Sequence, residues 1–219
     1  MMQLTSRDEH MLDWLVVVRM ADIDAIRWAL GGLKDESLGV PVGVRRANQW
    51  IARMSEAALV DRCRPVYRDR QIVWPTRKGT SQTPPTLFRQ TMRHELAVAG
   101  VSARYLARGF QWSRDSNPRG SQSHLADGVA TRGDVVDVIE VELTTKKLAR
   151  YKHIHGHHAG RLADGSASRI VYLCTPDVAR AVAREADRFV FREQREGIVT
   201  LPVMDAQGKW VGEEDALWL

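Results

Sequence analysis

The eleven residues Asp134 to Thr144, DVVDVIEVELT, constrain this chain more than any other stretch. Apolar and β-branched residues dominate it. Gly133 precedes it, and Lys146-Lys147 follow closely, which is the pattern of a strand buried inside a sheet. Yet the stretch carries Glu140 and Glu142. Residues two apart on a strand face the same side, so both carboxylates look out from one face of a largely apolar element. Such groups are costly unless they are paired or hold a metal. A fold that keeps them must also supply their partners.

The flanking sequence places that strand in an α/β domain. A long helical pattern runs from about Leu87 to Arg108, and a polar loop follows from Ser113 to Ser123, suited to mobility or to a nucleic-acid contact. Asp127 to Thr131 reads as a short strand. A helix is expected over Lys146 to His158 and a second buried strand over Ser168 to Cys174. Thr175 then caps a helix with Pro176 at its first position, a place where proline is pre-organised; it runs to about Asp187. A last strand over Ile198 to Val203 and a Gln207-Gly208 turn close the pattern. Helices alternating with strands predict a mixed sheet.

Residues 1–80 differ in character. Met11, Leu12, Leu15, Val16 and Val18 mark a first helix over Asp8 to Arg19. Asp22 caps a second helix, which ends at Gly31-Gly32. A third runs from Val44 to Ala57 with Ala47, Trp50, Ile51 and Met54 as its apolar stripe. Arg45, Arg46, Asn48, Gln49 and Arg53 then project to other sides. Leu59 to Arg64 and Gln71 to Trp74 read as two short strands joined by the basic connection Pro65 to Arg70. From Arg45 to Lys78 there are nine basic side chains against three acidic ones, an excess of six, while the whole chain carries only +5. One region therefore holds the entire imbalance, as in a phosphate-contacting module. Residues 81–86, with a proline pair, form a linker to the domain over 87–219.

Several classes fall away. The longest apolar stretches are about five residues, such as Trp14 to Val18, whereas a membrane span needs roughly 20. The two cysteines, Cys63 and Cys174, are far apart, which excludes a CxxC zinc site and fits a reducing compartment. The opening MMQLTSRDEH lacks the basic-then-apolar order of a secretory signal. A cytoplasmic protein with no membrane partner is expected.

The third helix RRANQWIARMSEAALV, the segment DRCRPVYRDRQIVW and the closing TRKG resemble a winged helix-turn-helix, although such domains often carry Gly where Ala58 stands. That resemblance implies double-stranded DNA as partner. Arg45, Arg46, Asn48, Gln49 and Arg53 would face it, since Arg addresses guanine and Asn or Gln adenine. Arg68, Arg70 and Lys78 would reach phosphates from the wing. In the second domain, Asp127 in HLADG followed by Glu140-Val-Glu142 resembles the PD-(D/E)-x-K nuclease-like fold. It implies Mg²⁺, with Mn²⁺ as substitute, on Asp127 and Glu140, because Mg²⁺ favours oxygen ligands. Glu95 is a further candidate acid. Glu142 occupies the motif's lysine position, so the lysine role would pass to Lys146 or Lys147.

A closer resemblance covers nearly the whole chain. The winged helix, HELAVAGV, the tryptophan in GFQWSRD, HLADG, VIEVELTTKKLARY and IVYLCTPDVARAVAREAD are similar to the replication-relaxation family of plasmids and mobile elements. His94, Asp127 and Glu140 with Glu142 match that family's helix histidine, aspartate and acidic strand. The resemblance implies a role in plasmid replication and DNA relaxation, with replication or transfer proteins as further partners. The expected function is DNA binding with metal-dependent cleavage or nicking; the alternative is a non-catalytic regulator whose second domain dimerises or docks a partner. Trp210 and Trp218 would suit a homodimer surface. His153, His155, His157 and His158 lie within six residues. His153 and His157, four apart on a helix, can chelate a metal, but Gly156 and Gly160 nearby fit a fraying helix end equally well.

Overall fold

A computed structural model describes residues 3–33, 39–65, 70–80, 83–87, 91–116 and 124–218. They divide into two compact units, Met1–Gln111 and Trp112–Leu219. Among the described residues there are eight helices and two sheets. No described helix is long and apolar enough to cross a membrane.

The first unit begins with α1 (Ser6–Val18). A capping box starts this helix: the Thr5 hydroxyl accepts from Asp8 N, and the Asp8 carboxylate accepts from Thr5 N. Next come β1 (Ala21–Asp22) and α2 (Ile23–Gly32), and Asp22 caps α2 by accepting from Ala25 N at 2.9 Å, as its sequence position predicts. α3 (Val44–Glu56) buries Ala47, Trp50, Ile51 and Met54, the expected stripe, against Leu15 and Ile26. β2 (Val60–Cys63), β3 (Ile72–Pro75) and the short α4 (Arg77–Thr80) complete the basic region. The sheet order is β1-β3-β2, all antiparallel, with Cys63 opposite Ile72. Ala58, after α3, has φ +56°, the left-handed region that favours glycine.

α5 (Met92–Ala107) was expected at the head of the second domain, starting near Leu87. It belongs instead to the first unit, and the boundary falls after Gln111 rather than over 81–86. Ala99, Ala103 and Ala107 recur every fourth residue and join the first unit's core. This small-residue stripe lets α5 approach α2 so closely that a Cβ on Gly32 would lie 2.6 Å from the Ala107 Cα. Trp14 Nε1 also donates to the buried Ser102 hydroxyl at 2.9 Å.

The second unit is a mixed sheet flanked by helices. In order come β4 (Gln111–Ser113), β5 (Gly128–Arg132), β6 (Val135–Glu142), α6 (Leu148–Ala163), β7 (Arg169–Cys174), α7 (Pro176–Phe189), α8 (Arg192–Arg195) and β8 (Ile198–Leu201). The strand order is β4-β5-β6-β7-β8. β5 and β6 are antiparallel, and β6, β7 and β8 are parallel, with Glu140 opposite Tyr172 and Glu142 opposite Cys174. Tyr151 and Ile154 of α6 and Val178 and Val182 of α7 cover Val138, Ile170 and Tyr172. Glu140 and Glu142 share the face of Val138 by strand alternation. Their carboxylates therefore enter the layer beneath α6 and α7.

Candidate metal centre and basic helix face

Glu140 is 3 % exposed, and two histidines provide its partners. His158 comes from α6, where its Nε2 lies 2.8 Å from Glu140 Oε1. His124 comes from the segment before β5, and its Nε2 contacts the same oxygen. His124 is 7 % exposed and His158 is fully buried. One ligand atom from each of the three residues lies within 4.8 Å of the others. Burial alone would raise the Glu140 pKa, but the hydrogen bonds and charges of the two imidazoles outweigh it and hold the carboxyl down to about 2. Arg150 Nη2 lies 3.3 Å from His124 Nδ1, on the ring edge away from Glu140.

Asp115 fastens this arrangement. Its Oδ2 accepts from Ala126 N at 2.9 Å and from Arg161 Nη1 at 2.8 Å. Ala126 is two residues from His124, and Arg161 lies on the same helix as His158. A single carboxylate thus ties the segment and the helix that supply both imidazoles.

Asp127 and Glu142 flank Glu140 at the end of β6. Asp127 N donates to Ile139 O, and Asp127 Oδ2 accepts from Val141 N at 2.8 Å, so this side chain closes the ladder beside Glu140. Glu142 is buried and forms an ion pair with Lys146. Burial lowers the Lys146 pKa, while the charges of Glu140 and Asp127 act to raise it. Lys146 also lines a cleft with Thr145, Tyr151, Asp177, Arg184 and Glu185, outside the carboxyl ends of β6 and β7. In open α/β sheets this is where ligands bind. Glu95 is not among these acids: it lies on α5 in the first unit, 4.0 Å from Arg19. His94 is half-buried on the same helix.

The chain matches no protein-family model, no curated protein and no solved structure.

Of the four clustered histidines, only His158 joins the centre. His153 is exposed and His157 half-buried on α6. His155 is buried, with Tyr172 Oη 3.3 Å from its Nδ1, and burial with the nearby His158 charge lowers its pKa to about 4. Sequence reading passed over His124. Its signal was present, since it opens HLADG three residues before Asp127.

In the first unit, the exposed face of α3 presents Arg45, Arg46, Asn48 and Gln49. The other expected DNA-contacting residues are engaged within the fold. Arg53 donates to the buried Asp8 through both terminal nitrogens, Arg70 pairs with Asp22, and Lys78 donates to Ala57 O at 3.0 Å, capping the end of α3. Arg68 lies outside the described residues. Arg7 is an addition: with Arg46, Gln49 and Arg53 it lines a cleft beside α3, and its buried Nε has no hydrogen-bond partner. With Arg53 committed to Asp8, Arg7 and Arg46 are the guanidiniums of this cleft that suit a phosphate.

Proposed function

We propose that this chain is a duplex-DNA-binding protein of a plasmid or other mobile element, built as a winged helix-turn-helix followed by a nuclease-like α/β domain. The domain cuts or nicks DNA with the help of a divalent cation. The exposed row Arg45, Arg46, Asn48 and Gln49 on α3 carries the DNA-binding part. Its donors and acceptors suit base edges in a major groove, and the arginine-lined cleft beside it suits the adjacent backbone. The gathering of Asp127, Glu140, Glu142 and Lys146 at one end of β6 supports the cleavage part.

A bound divalent cation would supply an activated water and neutralise charge on a phosphodiester. The chain's own groups divide the remaining work. Lys146 presents an ammonium to the cleft, where it stabilises a phosphate oxygen, and Glu142 orients that ammonium. Asp127 fixes the end of β6, and with it the position of Glu140.

One observation favours the regulator instead. Glu142 is paired with Lys146, and Glu140 is satisfied by two imidazoles, so the acids are neutralised inside the fold without a cation. Such a domain would serve dimerisation or the docking of replication or transfer proteins.

Supercoiled plasmid separates the two. The pure chain is incubated with Mg²⁺, Mn²⁺ or Zn²⁺ beside Asp127→Ala and Glu140→Ala. Nicking by the natural chain alone supports the nuclease. A retarded but intact plasmid under every metal leaves the regulator.

A further inference from the structure

We propose that His124, Glu140 and His158 form a binding site for a divalent transition cation of the zinc type, in place of the Mg²⁺ expected on Asp127 and Glu140. The inference shares Glu140 with the proposed cleavage centre but does not depend on cleavage.

The donor set decides the class of ion. Mg²⁺ takes an octahedron of oxygens and keeps several waters. Here the carboxylate of Glu140 is enclosed by two imidazole nitrogens. Nitrogen donors suit zinc and its first-row neighbours. Two histidines and one glutamate form a three-ligand set that leaves a fourth position open. Asp127 gives one oxygen to Val141 N and Glu142 is paired with Lys146, whereas both imidazole nitrogens face Glu140.

The geometry is close to what an ion requires. Ligands about 2.0–2.1 Å from a tetrahedral zinc stand roughly 3.3 Å apart. The His158 Nε2 to Glu140 Oε1 separation of 2.8 Å would open by a few tenths of an ångström as the ion replaces the bridging protons. Each imidazole must then carry its proton on Nδ1. His158 Nδ1 is buried without a hydrogen-bond partner, so that proton displaces nothing there. At His124 the Arg150 guanidinium faces Nδ1 and must turn away. Arg150 is exposed, so it has room to do so. Asp115 holds the two histidine-bearing segments together and acts as a positioning residue.

The test uses the whole chain, freed of metal by a chelator. Zn²⁺ is titrated calorimetrically, with and without millimolar Mg²⁺, and Co²⁺ is followed by the visible absorption of its low-coordinate form. The expected result is one Zn²⁺ per chain, undisturbed by Mg²⁺. Asp115→Asn should weaken uptake by roughly 10–100-fold, the usual cost of an outer-layer change. Glu140→Gln and His158→Gln should weaken it further, and their circular dichroism and cooperative melting report whether they fold. A His153→Gln variant, on the exposed side of α6, leaves the site intact and should bind as before. Absence of stoichiometric Zn²⁺ and Co²⁺ uptake by the natural chain overturns the proposal. So does undiminished uptake by folded Glu140→Gln, or loss of uptake in His153→Gln, which would place the ion on the exposed face of α6. The plasmid assay reads cleavage separately: cutting with Mg²⁺ but no Zn²⁺ uptake rejects the zinc site alone, and Zn²⁺ uptake with intact plasmid under every metal rejects the nuclease alone.

Discussion

Asp8 in the first unit and Glu140 in the second are both buried carboxylates, 0 % and 3 % exposed, and both titrate below the ordinary range. Their partners set them apart. Asp8 accepts from the Arg53 guanidinium, the Trp50 indole and the cap at Thr5. None of these donors gives up its proton near neutral pH. Asp8 is therefore a pin that joins α1 to α3. Glu140 accepts from two imidazoles, and each of these can move its Nε2 proton and offer a lone pair instead. The same electrostatic problem has a permanent answer in one unit and an exchangeable one in the other.

The pin is the costlier of the two carboxylates to lose. Asp8→Ala removes a cap and leaves Arg53 and Trp50 facing a buried gap. The expected loss is about 3 kcal/mol in urea unfolding, with Zn²⁺ uptake by the folded fraction unchanged. Glu140→Gln keeps an oxygen acceptor between the histidines, so it should cost only about 1 kcal/mol while weakening Zn²⁺ uptake more than Asp115→Asn does. Equal destabilisation by the two changes would mean that Glu140 is simply another pin.

Acid should loosen the two regions in a fixed order. His155, beside Glu140's partner His158, has its pKa lowered from about 6.5 to about 4, chiefly by burial. A histidine with a depressed native pKa is kept neutral by the fold. Stability is then full above the unfolded value and falls as the pH drops from about 6.5 toward 4, because the unfolded chain takes up the proton first. By pH 5 the loss from His155 reaches up to about 2 kcal/mol. Asp8 behaves oppositely in range: its contribution is whole above an unfolded pKa of about 3.9 and is lost only below it. Melting curves from pH 7 to 5 should slope downward in the natural chain and become shallower in His155→Leu, the remaining slope coming in part from His157, whose pKa burial also lowers. A flat natural profile would remove the distinction.

Much of this was legible in the sequence, and the part that was not has a physical reason. Strand period and flanking glycine placed β6, and Pro176 after Thr175 marked the start of α7, because those signals are local. The Glu140-Glu142 pair announced that the strand needed partners. It did not say which, since His124 and His158 lie 16 and 18 residues away in sequence and meet Glu140 only through the sheet and the α6 crossover. The i, i+4 rule pointed to His153 and His157 because spacing on a helix is visible and burial is not. α5 follows the proline pair and so reads as part of the second domain for a similar reason. Its alanine stripe signals close packing, but a proline pair is the louder local mark, and only the fold shows that the stripe meets Gly32 of α2. The basic count from Arg45 to Lys78 was sound as arithmetic but could not separate exposed cations from those bound to Asp8 and Asp22.

The arginines of α3 divide in the same way. Arg45 and Arg46 are exposed on α3, whereas Arg53, two turns on, holds Asp8. Replacing either exposed arginine by alanine should weaken duplex binding by about 1 kcal/mol and leave the melting temperature within a degree or two. A phosphate contact would also reduce the slope of log affinity against log salt by about one, whereas a base contact would change the preference between duplex sequences. Arg53→Ala should do the reverse: it lowers stability by freeing Asp8, and the folded fraction keeps most of its salt dependence. If instead Arg53→Ala removed DNA binding from a chain that melts normally, the Asp8 pair would be dispensable. The contrast between a permanent and an exchangeable carboxylate would then lose its permanent half.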